Sequence, residues 1–259
     1  HKRQRMIDFA WNLESQVAAI YRVSGYVHGI SEIESQRLDS FFGLEKEIKL
    51  LCANTESFLF RDLGVNVLLW GARGCGKSSL IKAILLQYAK EGLRILQIEK
   101  EHLEILPEVL DILRNKHYKF IIFCDDLSFE QDEKTYKNLK SILEGGLESL
   151  PKNIKIYATS NRRHLLPEFH DENEIFGYEG NEDKIALSDR FPLCIGFYTQ
   201  GNAEYLEVLA GYFKKEKDTK EWEKICRIAL QYAVQKGTRN PRTAAQFYTL
   251  YQSGLLDYL

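Results

Sequence analysis

The sequence predicts an α/β fold of three layers, with a parallel sheet between helices, followed by a small all-helical domain. The first observation is that apolar runs such as VNVLLW, LRILQI and KFIIFCDD alternate with segments of helical periodicity. Near-continuous apolar runs are typical of parallel strands that are buried on both faces. The second observation is that this alternation stops at Thr199, after which only helical patterns follow. We therefore expect an α/β domain over residues 41–198 and a helical domain over residues 199–259.

The elements of the α/β domain follow in a regular order. A helix over Glu45–Phe60 precedes the strand VNVLLW, and a glycine-rich loop leads into the helix SSLIKAILLQYAKEG, which Gly92 ends as a C-cap. Next come the strand LRILQI, a helix with Pro107 in its first turn, the strand KFIIFCDD and the helix TYKNLKSILEG. The strands NIKIYATSN and LCIGFY complete this domain. The later helices are NAEYLEVLAGYFKK, EWEKICRIALQYAVQKG and PRTAAQFYTLYQSGLL.

Residues 1–40 are predicted to form a helical extension. Apolar residues recur at helical spacing from Met6 to Tyr21, which predicts an amphipathic helix. Its apolar face packs on the body of the same chain or contacts another subunit or a partner, and we favour the first. Because the chain begins with His1 rather than Met, we also expect a further segment upstream.

Composition limits the classes of function. The net charge is −2 and the pI is about 6.4, so no global positive field draws the protein to nucleic acid or to an anionic membrane. The five cysteines form no CxxC pair, which favours reduced cysteines and a cytoplasmic protein. No apolar run approaches the ~18 residues of a membrane span. The stretch Glu168–Asp183 is rich in acids without ligand spacing, and we expect a solvated, mobile loop rather than a metal site.

The glycine-rich loop predicts a triphosphate site. GARGCGKS matches GxxxxGK[ST] and lies between a predicted strand and a helix, which is the context that gives the motif its meaning. Glycines let backbone N–H groups converge on one point, and the helix directs its positive end there. Lys77 then neutralises the β- and γ-phosphates and Ser78 ligates Mg²⁺. The alternative is a tight turn without a ligand. The loop comprises Gly71, Ala72, Arg73, Gly74, Cys75, Gly76, Lys77, Ser78 and Ser79.

Polar side chains end two later strands. Asp125 and Asp126 close FIIFCDD at the carboxyl end of a buried strand, where ligands bind in open α/β sheets. Asp125 suits the Mg²⁺ shell and Asp126 suits the orientation or deprotonation of an attacking water; the alternative is a helix N-cap. Thr159, Ser160 and Asn161 reach the γ-phosphate or its water if their strand lies beside the strand that precedes the glycine loop.

The ordered set GARGCGKSS, FIIFCDDLSFE, YATSNRRHL, LSDRFPL and GTRNPRTAAQF resembles the AAA+ ATPases, and in detail a bacterial ATP-binding family of unknown function. The resemblance covers about Phe41–Phe247. It implies a nucleotide between the α/β domain and a helical lid, in a site that is completed by a neighbouring subunit of a ring or spiral. The chain departs from many AAA+ ATPases in having Asp126 where they have Glu. Asp-Asp also occurs in the replication initiator and helicase-loader branch.

The resemblance also assigns roles to residues. Gly71–Ser79 becomes the Walker A loop, and Asp125 and Asp126 become the Walker B acids. Asn161 becomes the sensor 1 residue, with Thr159 as the alternative candidate. Arg190 becomes the arginine finger and Arg242 the sensor 2 arginine. The segment around Gly43 becomes the contact to adenine.

The expected function is therefore an ATPase that binds ATP or ADP with Mg²⁺ and remodels a macromolecular partner as a homo-oligomer. The alternative is a slow ATP-gated switch that positions a partner on nucleic acid, for which the cues are Arg162, Arg163, His164, Lys236 and Arg239. A small-molecule kinase is less well supported, because no acceptor-binding motif is present.

Overall fold

The computed structural model of the protein describes residues 7–34, 37–128, 134–145, 149–161, 189–214 and 219–258. The strands in these ranges are β1 (Asp8–Ala10), β2 (Ala18–Arg22), β3 (Tyr26–Ile30), β4 (Val67–Gly71), β5 (Leu93–Gln97), β6 (Lys119–Cys124), β7 (Ile154–Ser160) and β8 (Leu193–Phe197). The α-helices are α1 (Glu45–Arg61), α2 (Lys77–Tyr88), α3 (Leu106–Leu113), α4 (Lys134–Glu144), α5 (Asn202–Phe213), α6 (Lys220–Lys236) and α7 (Pro241–Gln252).

The strands form a single sheet in the order β1-β3-β2-β5-β6-β7-β4-β8. From β2 to β8 every neighbouring pair is parallel, as the apolar runs predict. The strand that leads into the glycine loop, β4, lies between β7 and β8. The carboxyl ends of β6, β7 and β4 therefore meet at one edge of the sheet.

Helices cover both faces of the sheet. Leu68 of β4 packs in the core that contains α3 and Leu139 of α4, whereas its neighbours Val67 and Leu69 pack in the core that contains α1 and α2. This alternation follows from the pleat, which directs successive side chains to opposite faces. The three layers agree with the predicted fold class.

The three C-terminal helices form a separate apolar core. Tyr205 and Leu209 of α5, Ile225 and Ala229 of α6 and Phe247 of α7 are buried in it. Phe213 contacts the rings of Trp222, Phe247, Tyr248 and Tyr251 with centroids 5.0 to 6.3 Å apart. This small helical domain also matches the expectation from the sequence.

The predicted N-terminal helix over Met6–Tyr21 is wrong. From residue 7 onward this segment forms β1 and β2, and β2 continues into an antiparallel hairpin with β3. The hairpin extends the main sheet, because β2 pairs in parallel with β5 through Ala18 and Ile95. The apolar residues do pack on the body of the same chain, where Trp11, Tyr21 and Val27 join a core.

Local hydrogen bonds explain why the helical spacing failed. The Asn12 side chain accepts from the backbone N–H groups of Glu14 and Ser15, which closes a turn where the helix was expected. The buried Arg94 guanidinium then fixes the segment by donating to the carbonyl of Leu13 at 2.7 Å. Pairing with β5 and this turn therefore override a weak periodicity.

None of the five cysteines, all of which lie in the described ranges, forms a disulfide, and burial raises the pKa of Cys124 to about 12. No helix in the described part of the chain has the length and apolar character needed to cross a membrane.

Candidate functional site

The glycine loop connects β4 to α2 without a break. Gly71 ends the strand, Lys77 begins the helix, and Gly71, Gly74 and Gly76 all have positive φ. Gly71 is the tightest position, since an added Cβ would lie 2.0 Å from the carbonyl oxygen of Phe197 on β8. No side chain caps the N-terminus of α2, so its positive end faces the loop. This backbone suits the binding of phosphate oxygens by the main chain.

Lys77 lies folded under the loop. Its ammonium donates hydrogen bonds to the carbonyls of Gly71 at 2.7 Å and Ala72 at 2.8 Å, and only 6% of the residue is exposed. Burial lowers its pKa from the ordinary value of 10.5, against the raising effect of the Cys75 thiol and of Asp125 and Asp126. A buried cation at the end of a phosphate-shaped loop is suited to an anionic ligand.

Asp125 accepts hydrogen bonds from two hydroxyl groups. Its Oδ1 atom accepts from the Ser78 hydroxyl and from the Thr159 hydroxyl, each at 2.6 Å. The three side chains come from the start of α2 and from the ends of β6 and β7, whose strands are neighbours. A carboxylate and hydroxyls are oxygen ligands of the kind that Mg²⁺ prefers, and it commonly uses few protein ligands and the substrate phosphates. The donor set therefore fits the predicted magnesium site.

Asp126 has an unusual backbone and two side-chain partners. Its φ is +53°, a conformation that costs energy for a non-glycine residue and that often marks functional sites. Its N–H donates to Thr159, its Oδ1 accepts from the Asn161 amide at 2.6 Å, and its Oδ2 pairs with Arg73 at 3.3 Å. The structure thus brings together the two predicted Walker B acids and the predicted sensor 1 residue.

A cleft of about 540 Å³ opens above these groups, between the sheet and the helical domain. This volume is typical of small-molecule sites. Its lining combines the polar groups of the loop and the acids with the apolar side chains of Phe41, Phe42, Leu44 and Tyr212. Arg242 lines it from α7, and Gly43 lies between lining residues without lining the cleft itself. A lining that joins a buried ammonium and carboxylates to aromatic and aliphatic side chains fits a nucleotide, which has a charged and an apolar part.

The remaining predicted residues lie outside the cleft lining. Gly71, Ala72 and Cys75 belong to the loop but do not line the cleft, and Cys75 is buried. Arg190 lies away from the cleft and pairs with Glu144 at 3.3 Å. The basic cluster Arg162, Arg163 and His164 and the acidic stretch 168–183 fall outside the described residues.

Two contacts of the site were not predicted from the sequence. One is the pairing of Arg73 with Asp126, and the other is a hydrogen bond from Asn240 to the carbonyl of Arg73 at 2.9 Å. The order Asn240-Pro241 is a recognisable helix start, but nothing local indicates that this start touches the loop.

Comparison with known families identifies the chain's relatives. Residues 14–255 match the family described as "Protein of unknown function (DUF815)". The chain belongs to this family. The match includes residues 14–40, which the sequence resemblance had left outside. No curated protein matches the chain.

Solved structures show the same fold. A point mutant of RuvB from Thermotoga maritima superposes with a TM-score of 0.56 at 16% identity, over 86% of this chain and 66% of that one. The Orc1 protein of Aeropyrum pernix, solved in complex with DNA, gives a TM-score of 0.56 at 13% identity, over 79% of this chain and 58% of Orc1. The family match and these neighbours confirm the AAA+ P-loop fold that the sequence resemblance implies, and the chain spans 66% of the RuvB chain and 58% of the Orc1 chain.

The stability of a Lys77 variant tests whether the buried ammonium destabilises the protein that lacks nucleotide. Because the folded-state pKa of Lys77 lies below its unfolded value, its unfavourable contribution to stability is complete below the folded-state pKa and fades as the pH rises from there to the ordinary pKa of 10.5. Without nucleotide, Lys77→Met is expected to be at least as stable as the wild type at pH 7. Its free energy of unfolding should rise by up to about 1 kcal/mol. Denaturant unfolding at pH 7 and 10 measures this, with the exposed Lys82→Met as control. A loss above about 1 kcal/mol would contradict it.

Proposed function

We propose that the protein is a Mg²⁺-dependent AAA+ ATPase that binds and hydrolyses ATP to remodel a macromolecular partner. The observation that carries the proposal is the convergence of Lys77, Ser78, Asp125, Asp126 and Arg242 on one cleft. Each is the residue type that phosphoryl transfer requires, because that chemistry depends on positioning and on charge stabilisation. A cytoplasmic location is part of the same proposal.

Each side chain of the cleft has a role that follows from its position. The loop N–H groups and Lys77 hold the triphosphate, with the ammonium exchanging its carbonyl partners for phosphate oxygens. Ser78 and Asp125 hold Mg²⁺, which neutralises charge on the phosphates. Asp126 and Asn161, already hydrogen-bonded to each other, orient the attacking water. Arg242 approaches the phosphates from α7.

Arg190 is proposed to act on a neighbouring subunit. Within one chain its guanidinium pairs with Glu144 and does not line the cleft, so it cannot serve this chain's own nucleotide from that position. An arginine supplied from outside to a transferring phosphoryl group can raise turnover by about a thousandfold. We therefore propose a ring or spiral of identical subunits.

Phosphate release with Mg²⁺ATP across a series of protein concentrations tests the proposal. We expect specific activity to rise with concentration, and turnover to fall at least about a hundredfold in Lys77→Ala. Arg190→Ala is expected to lose about a thousandfold while still binding nucleotide. Lys82→Ala, which removes an exposed lysine of the same helix, is the matched control and retains activity. Equal activity in the wild type and Lys77→Ala would overturn the proposal that the protein is an ATPase.

A second candidate, a slow ATP-gated switch, is favoured by the surroundings of Asp126. Both of its oxygens are engaged, by Asn161 and by Arg73, which leaves the carboxylate less available to accept a proton from water. In the same assay this candidate gives turnover near zero with intact ATP binding. The solved neighbour Orc1 is in complex with DNA, so DNA belongs among the additions, with binding followed as salt is raised.

A further inference from the structure

Asn240 connects the helical domain to the phosphate loop. Its Nδ2 atom donates to the carbonyl oxygen of Arg73 at 2.9 Å, across the cleft boundary between the two domains. A second hydrogen bond joins the same two segments: the backbone N–H of Arg242 donates to the carbonyl of Gly74 at 3.2 Å. Two successive peptide groups of the loop are thus bound by the start of α7.

The same side chain also organises the start of α7. Its Oδ1 atom accepts from the backbone N–H of Thr243 at 2.9 Å and from the Thr243 hydroxyl at 3.0 Å, which makes Asn240 the N-cap. One amide therefore uses its oxygen for the helix and its nitrogen for the loop. An Asn carries its donor and its acceptor on separate atoms, whereas Ser and Thr have both on one oxygen and an ionised Asp has no donor.

The loop is shaped to receive this side chain. Gly74 has a φ of +79°, and a Cβ added there would lie 2.6 Å from Asn240 Nδ2. The absence of a side chain at Gly74 thus does more than permit a turn, since it leaves the space that Asn240 fills.

We propose that Asn240 is a positioning residue that fastens α7 to the phosphate loop and thereby holds Arg242 over the phosphates of a bound nucleoside triphosphate. This inference rests on the proposed nucleotide site. Arg242 follows Asn240 by two residues and lines the cleft, so the position of the helix start sets the position of its guanidinium. Asn240 itself acts through the helix and the loop.

Asn240→Ser separates the two roles. A serine hydroxyl caps the helix as well as asparagine does, but it is too short to cap Thr243 and reach the carbonyl of Arg73 together. We expect the stability of the nucleotide-free protein to fall by no more than the net value of the one hydrogen bond lost to Arg73, and the dissociation constant of a fluorescent ATP analogue to rise about threefold to tenfold. The matched control is Thr219→Ala, which removes the N-cap of α6 and should lower stability without altering nucleotide affinity.

A double-mutant cycle with Arg242→Ala tests whether Asn240 affects nucleotide affinity through Arg242. If Asn240 acts by positioning Arg242, the loss of affinity caused by Arg242→Ala is smaller in the Asn240→Ser background than in the wild type. Additive losses, or an unchanged dissociation constant in Asn240→Ser, would overturn the positioning role while leaving the nucleotide site intact. A wild type that binds the analogue no better than Lys77→Ala would overturn the proposed function together with this inference.

Discussion

Asp125→Asn is expected to bind ATP and to lose at least about a hundredfold in turnover. The substitution keeps the shape of the side chain, and its amide oxygen can still accept from Ser78 and Thr159, which contact Asp125 Oδ1 at 2.6 Å. It removes the negative charge that would hold Mg²⁺. The expected loss is therefore one of metal binding rather than of folding.

Phosphate release as a function of Mg²⁺ concentration checks this expectation. The variant should need a higher concentration for half-maximal activity, and its free energy of unfolding without metal should match that of the wild type. Asp111→Asn, which changes an exposed acid on α3, provides the control and should show the wild-type dependence of activity on Mg²⁺ concentration. Full activity of Asp125→Asn at the Mg²⁺ concentration that suits the wild type would exclude Asp125 from the metal site.

Gly71→Ala is expected to lower the free energy of unfolding by about 3 kcal/mol or more. Two costs act together at this position. The φ of +139° is rarely adopted by a residue with a side chain, and the new methyl would lie 2.0 Å from the carbonyl oxygen of Phe197. Because that oxygen belongs to a paired strand, either β8 must shift or the start of the loop must move.

Gly237→Ala separates these two costs. Gly237 also has a positive φ, of +69°, at the end of α6, but nothing lies within 4 Å of an added Cβ. It should cost about 1 kcal/mol, the price of the backbone conformation alone. Chemical denaturation of both variants without nucleotide gives the comparison. Similar losses in the two would show that the crowding at Phe197 is relieved by relaxation.

The fold was predictable from the sequence where patterns were long and local. Buried parallel strands such as FIIFC are apolar throughout, and the helices between them carry regular apolar faces. The N-terminal segment was not predictable in this way. Its spacing suits a helix, but pairing with β5 and the turn made by Asn12 decide its structure, and both depend on groups outside the periodic pattern.

The candidate site was predictable to the extent that it follows strand ends. Asp125, Asp126 and Asn161 follow β6 and β7, so the parallel sheet brings them beside the loop. The sequence predicts Thr159 as a group near the γ-phosphate and as an alternative sensor 1 residue, but it does not predict that the hydroxyl contacts Asp125 and the N–H of Asp126. The partners of Arg73 and Arg190 are 53 and 46 residues away along the chain, and no local pattern identifies them.

The hairpin at the N-terminal end has a practical consequence for shortened versions of the protein. A chain trimmed to residues 41–259 would retain the lining residues of the cleft apart from Ser40 but would lose β2, which covers one side of β5. The exposed strand, LRILQ, is largely apolar and would present unpaired N–H and C=O groups along its edge. Such an edge is a template for pairing between molecules, so the trimmed protein is prone to aggregate. Its nucleotide chemistry should be studied in a chain that keeps the hairpin.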